Sequence, residues 1–304
     1  LDETLGLLGN IDGGIVVDCT LGFGGHSLAI LERFPNLKIV AIDQDKAALS
    51  LVRPRFEQFK SRIQFVHSNF SEIKTVIEET VNSKVNAIIA DLGVSSMQLD
   101  SETRGFSFRF DAPLDMRMDM SANTPTAAQL LSTMTEFEIA DVIYRYGEER
   151  HSRKIARRIV GERDAGRPVL TTKELAGLVE RSVPRNKKHK IHPATRTFQA
   201  LRIKVNGELE ILEGFLGDSI EMLETDGVLA VITFHSLEDR IVKTAFQRFA
   251  GKCICPPKIP QCVCGAKKIA ELVTRKPIVP SETEQARNPR SRSAKLRAVK
   301  KLSN

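Results

Sequence analysis

Two carboxylates with a glycine-rich turn between them are the first groups in this chain able to do chemistry. Asp18 closes a short apolar β-type run, Ile15 to Val17, and Asp43 closes a second one, Lys38 to Ile42. Between them lies Cys19-Thr20-Leu21-Gly22-Phe23-Gly24-Gly25-His26, followed by Leu28, Ile30 and Leu31 at helical spacing. A strand, a tight glycine loop and a helix start present backbone N–H groups and the positive end of a helix to a ligand. A dinucleotide fingerprint, G-x-G-x-x-G, needs its third glycine three residues after the second. Here Gly22, Gly24 and Gly25 crowd together instead, so a pyrophosphate is disfavoured. Asp43 follows the loop by about twenty residues, where a second-strand carboxylate accepts hydrogen bonds from ribose hydroxyls in nucleoside-binding α/β folds. A phosphate-free adenosine satisfies both halves, and S-adenosylmethionine fits; the plain alternative is a glycine turn in an ordinary βαβ unit.

Further groups follow along the chain. A fourth apolar run, Ala87 to Ala90, ends at Asp91, and Leu92 to Asp100 then reads as a loop. Arg104-Gly105-Phe106-Ser107-Phe108-Arg109-Phe110 sets three phenylalanines among arginines, a pattern that either stacks bases beside phosphates or covers a core. Cys253, Cys255, Cys262 and Cys264 form C-x-C-x6-C-x-C. Four thiolates so close could hold a tetrahedral zinc, but C-x-C is tighter than the usual C-x2-C knuckle. Reduced thiols in a Pro-rich loop (Pro256, Pro257, Pro260) are the expected state, and no metal ligand is assigned.

The elements that must position these groups alternate. Candidate strands are 15–18, 39–43, 63–67 and 87–91, with amphipathic segments such as 70–81 between them, the pattern of a parallel sheet wrapped by helices. Ligands then sit at the carboxyl ends of the strands, where 22–26, Asp43, Ser68 to Phe70 and Asp91 fall. From Thr124 to about Gly217 the chain turns helical: Thr124-Pro125 suits a helix start, and Thr135-x-x-Glu138 and Thr171-x-x-Glu174 have capping-box spacing. Phe198, Leu201, Val205, Leu209 and Leu212 step as one buried stripe. The strand pattern resumes at Gly227 to Thr233, and Ser236-x-x-Asp239 opens a helix to Phe249. The tail from Arg275, basic and sparse in apolar residues, is expected to order only against a partner.

At 304 residues the chain can bury a sizeable core. The formal charge of +7 is concentrated: between Arg150 and Lys204 stand 16 Lys or Arg against 4 Asp or Glu, which leaves the rest net acidic. Arg153, Lys154, Arg157 and Arg158 share one probable helix, and Arg185, Lys187, Lys188 and Lys190 a loop. Such clustering suits nucleic-acid phosphates. No apolar run approaches the roughly twenty residues of a membrane span, and the protein is expected to be soluble and cytoplasmic, with no membrane partner.

Several strings together resemble one family, the RsmH (formerly MraW) methyltransferases. They are Asp18 to Ser27 (DCTLGFGGHS), Asp91 to Asp100 (DLGVSSMQLD), Arg104 to Ser107 (RGFS), Pro113 to Asp119 (PLDMRMD), Tyr146 to Glu149 (YGEE), His192 to Arg202 (HPATRTFQALR), Phe234 to Arg240 (FHSLEDR) and Asn288 to Arg290 (NPR). The family's usual opening, a His-x-Pro-Val-Leu-like segment, would lie just ahead of Leu1. The resemblance implies an α/β, class I (Rossmann-like) S-adenosylmethionine-dependent methyltransferase sheet with an inserted α-helical, substrate-binding domain. Combined with the patterning, this gives residues 1–110 and 218–304 to the methyltransferase domain, the latter with a basic tail, and 111–217 to the insert. It implies methylation of the exocyclic N(4) of a cytidine in the decoding centre of 16S ribosomal RNA, free or in the small subunit. Cofactor contacts carry over to Gly24, Gly25, His26, Asp43, Phe70, Asp91 and Gln98. Asp91 is the candidate catalytic group and His235 a second, with a satisfied strand-end histidine as its plain reading. A homodimer is one open oligomeric state. The rivals are an NAD-dependent dehydrogenase, a non-catalytic ribosome assembly factor, and a methyltransferase acting on another RNA, on DNA or on a protein amine.

Overall fold

The computed structural model describes residues 1–303 apart from 10, 12, 185–191, 254, 256–260 and 262. The basic loop residues Arg185, Lys187, Lys188 and Lys190, the three prolines of the cysteine loop and Cys262 therefore lie outside the described residues.

The apolar runs become strands β1 (Gly14–Asp18), β2 (Leu37–Asp43), β3 (Ile63–His67), β4 (Val85–Asp91) and β5 (Leu223–Thr233), followed by β6 (Ala270–Leu272) and β7 (Lys295–Lys301). They form one sheet in the order β3-β2-β1-β4-β5-β7-β6. The first five run parallel, while β7 lies antiparallel to both β5 and β6. The runs are continuous rather than alternating because both faces are covered. Val17, Val40, Ile42, Ile88, Ala90, Leu229 and Val231 belong to one apolar layer, and Val16, Ile39, Ala41, Ala87, Ile89 and Ala230 to the other. β1 has β2 on one side and β4 on the other, so the strand order reverses there and the connections leaving β1 and β4 diverge. Such a reversal opens a crevice at the carboxyl ends of the strands. This is the class I α/β sheet expected from the resemblance.

The tail departs from expectation. Residues 295–301 form β7, with Leu296, Ala298 and Val299 buried and the backbone paired to β5 from Val228↔Lys300 to Thr233↔Lys295. Arg297, itself buried, and Lys295 both pair with Asp239, at 2.7 and 3.0 Å. A short basic strand is ordered here because its apolar residues fill one sheet position and its charges meet one carboxylate. Composition alone hid this.

Two compact units divide the chain: Leu1–Gly93 with Leu209–Asn304, and Val94–Glu208. The insert thus starts earlier and ends earlier than the 111–217 read from patterning. Val94, Leu99, Phe106 and Phe108 pack into the helical unit's own core, whereas the helix Glu208–Met222 gives Leu212, Phe215, Leu216 and Ile220 to the sheet core. The expected single stripe from Phe198 to Leu212 is two helices. Gly207, left-handed at φ 61°, ends Ala194–Asn206, and the next helix starts at once.

Within the second unit, Glu136–Gly147, Ser152–Asp164, Thr172–Ser182 and Ala194–Asn206 surround one apolar core. Thr135 with Glu138 and Thr171 with Glu174 form the expected capping boxes. The box before Ala127–Thr133 belongs to Thr126 and Gln129 rather than to Thr124, because only Thr126 has a Gln three residues on. Arg104 is buried, its guanidinium donating to the carbonyls of Arg117 and Met118 at 3.0 and 2.8 Å. Phe106 lies in the core, and Phe108 stacks on His192 with centroids 4.4 Å apart. Arg104 and Phe106 of the motif therefore build the unit's interior, while Phe108 and Phe110 are half-buried and Arg109 is exposed.

Ala298 pairs with Ala230 at zero exposure. Ala298→Glu would force a charge into the apolar layer that Ala298 shares with Ala230 and Leu296 and is expected to cost about 3 kcal/mol or more, seen as a large fall in the midpoint of urea unfolding.

Candidate active site

The sheet unit gathers its polar groups at the reversal beside β1. Asp18, 2% exposed, braces the loop that follows: its Oδ1 accepts from the Thr20 N–H at 3.2 Å and its Oδ2 from the Ser27 hydroxyl at 2.6 Å. The Thr20 hydroxyl oxygen in turn accepts from the Asp91 N–H at 2.6 Å, tying the end of β1 to the end of β4. Gly22 and Gly24 have φ of 51° and 74°, left-handed values that favour glycine. At Gly24 a Cβ would also stand 2.6 Å from the Phe56 ring. Gly24 caps the helix Gly25–Arg33, and a Cβ at Gly25 would meet nothing within 4 Å. The loop is held from below by packing and left open in front of Gly25.

Asp43 is fixed in two directions. Its Oδ2 accepts from the Gly22 N–H and its Oδ1 from the Asp45 N–H, both at 2.8 Å. Each oxygen keeps a further lone pair for another donor. Burial pushes its pKa up to about 6 against the lowering pull of those two N–H groups, with the nearby Asp45 and Asp18 charges adding to the rise. Phe70 opens the short 3-10 turn Phe70–Glu72 after β3 and meets Phe215 edge to face at 5.0 Å. It is half-buried at the tip of the strand next to Asp43.

Asp91 stands at the end of β4. Its side chain is 33% exposed and its Oδ2 lies 3.9 Å from Nδ1 of His26, yet Oδ1 is buried with no hydrogen-bond partner. Desolvation raises its pKa to about 6, opposed by His26 and assisted by the Asp18 charge. A buried acceptor without a donor costs free energy unless something supplies one. Asp91 is therefore the group in this cluster that lacks a donor for a buried oxygen.

Gly24, Gly25, His26, Asp43, Phe70 and Asp91 thus all fall on the carboxyl ends of β1 to β4 or on the helix that β1 feeds. Two other expected site residues make their described contacts elsewhere in their own elements. Gln98 belongs to the helical unit, where its Oε1 accepts from the Ser95 N–H at 3.0 Å in the capping box of Ser96–Asp100. His235 caps the helix Ser236–Phe249, displacing Ser236 from that role: its Nδ1 accepts from the Glu238 N–H at 3.4 Å and its Nε2 lies 3.0 Å from Glu238 Oε1. The ring is 8% exposed. Glu238 reciprocates by accepting from the Phe234 and His235 N–H groups. Nδ1 thus serves the helix cap, while Nε2 is buried close to Glu238 but without a hydrogen-bond partner. The bracing roles of Thr20 and Ser27 beside Asp18 do not follow from the spacing; a hydroxyl on each side of the glycine loop is the available signal.

The MraW methylase family model matches residues 1–302. The chain belongs to the MraW methylase family. Its relatives include proteins named ribosomal RNA small subunit methyltransferase H. One from Clostridium botulinum (strain Kyoto / Type A2) is 46% identical over 303 residues, covering 99% of this chain and 97% of the relative. One from Brevibacillus brevis is 47% identical over 304 residues, covering 99% and 96%. One from Carboxydothermus hydrogenoformans is 48% identical over 303 residues, covering 100% and 96%.

In this MraW methylase the raised acids have a consequence for stability. A carboxyl whose folded pKa lies above its unfolded value of 3.8 contributes stability below that value and loses it as pH rises through about 6. Asp91→Asn removes one such liability. The melting temperature of the ligand-free variant, relative to the parent, is expected to climb from about pH 4 to about pH 6 and to level off above; a constant difference from about pH 4 to about pH 6 would show that burial does not raise the Asp91 pKa.

Proposed function

We propose that this chain methylates the exocyclic N(4) of a cytidine in the decoding centre of 16S ribosomal RNA. At the coarser level it is an S-adenosylmethionine-dependent methyltransferase of small-subunit ribosomal RNA, as its family and relatives support. The observation that carries the finer reading is the buried, donor-less Oδ1 of Asp91 beside a glycine loop and a ribose-type carboxylate.

The residues fit the cofactor. Asp43 offers a lone pair on each oxygen for the two ribose hydroxyls, Phe70 offers an apolar face to the adenine, and the space in front of Gly25 admits close approach to the main chain. His26 and the loop of Gly24 and Gly25 complete the contacts. Bound there, S-adenosylmethionine supplies an electrophilic methyl group on a sulfonium. What the chain contributes is position. The cytosine amine is a weak nucleophile because its lone pair is delocalised into the ring, so an in-line approach must be held rather than awaited. Asp91 is the acceptor that orients an N–H of that amine, with the backbone and hydroxyl oxygens of its loop assisting. An acceptor-only carboxylate selects an amine over a carbonyl at the same ring position, since two acceptors repel.

The target base lies in structured RNA and must be splayed out to react. In the helical unit, Arg153, Lys154, Arg157 and Arg158 all project from Ser152–Asp164 into solvent, with Ile155, Ala156 and Ile159 buried on the opposite face. Arg157 is within 3.5 Å of Glu136, whereas Arg163 donates to the carbonyls of Leu131, Ser132 and Met134 and serves the fold. The exposed four make this helix the phosphate grip.

Mass mapping of nucleosides from small-subunit RNA, incubated with and without the protein, tests the reading; gain of N(4)-methylcytidine supports it, and methylation at another atom or none counts against it. Asp91→Asn is expected to lower kcat by about 10²–10³ while cofactor affinity, read by calorimetry, stays within a few-fold. Lost affinity alone would reassign Asp91 to the cofactor. RNA affinity is expected to fall steeply with salt, and Lys154→Ala with Arg158→Ala to flatten the log–log slope by about 2; an unchanged slope removes this helix from the RNA interface.

A further inference from the structure

Between the helix Ser236–Phe249 and β6 the chain makes an excursion whose feet are tied together. Ala250 and Lys268 form an antiparallel bridge, the Ile269 N–H donates to the Phe249 carbonyl at 2.8 Å, and Gly251 takes a left-handed φ of 76° with Lys268 against it. Above those feet no described residue from 251 to 268 is buried. Val263 is 76% exposed. A segment without a core needs another staple.

The thiols supply one. The sulfurs of Cys253, Cys255 and Cys264 all lie within 4.8 Å of one another, and Cys253 and Cys264 stand 3.8 Å apart across the two limbs. That separation is almost twice a disulfide bond of about 2.0 Å. It equals the edge of a tetrahedron around zinc: ligands 2.3 Å from a tetrahedral centre stand about 3.8 Å apart. The Val263 N–H donates to Cys255 Sγ at 3.4 Å, the outer-shell hydrogen bond that a metal-bound thiolate attracts. Two cysteines from the outgoing limb and one from the returning limb is a clip geometry, not a chance cluster on one turn.

We propose that Cys253, Cys255 and Cys264 bind a zinc ion that closes this excursion. Each thiol gives its proton to solvent and its sulfur to the metal, with no change of oxidation state. The spacing C-x-C, too tight for the usual knuckle, is accommodated because the third ligand arrives from the opposite limb. A soft three-sulfur set selects zinc over magnesium or calcium. The fourth tetrahedral position falls to a donor other than these three thiols. The site is separate from the strand-tip cluster and does not depend on the methyltransferase reading.

The full chain, expressed with zinc in the medium and purified under reducing conditions, is expected to carry about one zinc per chain by elemental mass spectrometry. Released by a mercurial and read with a chelating dye, the same equivalent should appear without any substitution. Cys253→Ser with Cys264→Ser is expected to lower zinc affinity at least ~10-fold, while circular dichroism reports whether the sheet remains. Cobalt substitution should give thiolate charge-transfer and tetrahedral d–d bands. Absence of zinc after equilibration with excess Zn²⁺ and desalting, iron or copper in its place, or a Cys253–Cys264 cross-linked peptide from freshly reduced protein would each overturn the proposal.

Discussion

Carboxylates partly or wholly desolvated at the tips of parallel strands are the constraint on which the sheet unit's chemistry depends. Asp18, Asp43 and Asp91 close β1, β2 and β4, and ordinary acids would avoid such crowding. Asp18 is tolerated because the Thr20 N–H and the Ser27 hydroxyl occupy its oxygens. Asp43 has one backbone N–H on each oxygen, and burial still pushes its pKa up to about 6. Asp91 has a neighbouring histidine and one empty buried oxygen. The three form a gradient from satisfied to unsatisfied, and the proposed roles follow it: brace, sugar holder, amine acceptor.

This gradient is produced by topology. Because β1 lies between β2 and β4, the loop after β1 touches both neighbours, through the Gly22 N–H to Asp43 and the Thr20 hydroxyl to Asp91. One loop therefore sets the positions of both working acids. β7, inserted antiparallel between β5 and β6, holds the far side of the sheet by burying Leu296, Ala298 and Val299. The basic tail that composition assigned to a partner serves the sheet instead.

The helical unit divides its cations by the same logic of satisfaction. Arg104, Arg117 and Arg163 are spent on carbonyls and carboxylates within the unit. Arg153, Lys154 and Arg158 stand exposed on a helix whose other face is apolar. A net charge counts both kinds equally, and only the second kind is available to phosphates.

Much of this was legible before any coordinates. Apolar runs ending in Asp18, Asp43 and Asp91 determine parallel strands and put the acids at their carboxyl ends, because period and polarity are local properties. The glycine spacing disfavours a dinucleotide loop for the same reason, and the ordered strings from DCTLGFGGHS to NPR carry the family. Other features needed the tertiary structure, since they depend on what lies opposite a residue rather than beside it. Spacing does not show that His235 caps a helix, that Arg104 is buried on two carbonyls, or that residues 295–301, read as a tail, are a strand. The orphaned oxygen of Asp91 and the 3.8 Å separation of Cys253 from Cys264 are likewise invisible in spacing. Sequence determines which groups exist and which local element carries each; only the fold decides which of them are left with nothing to bind.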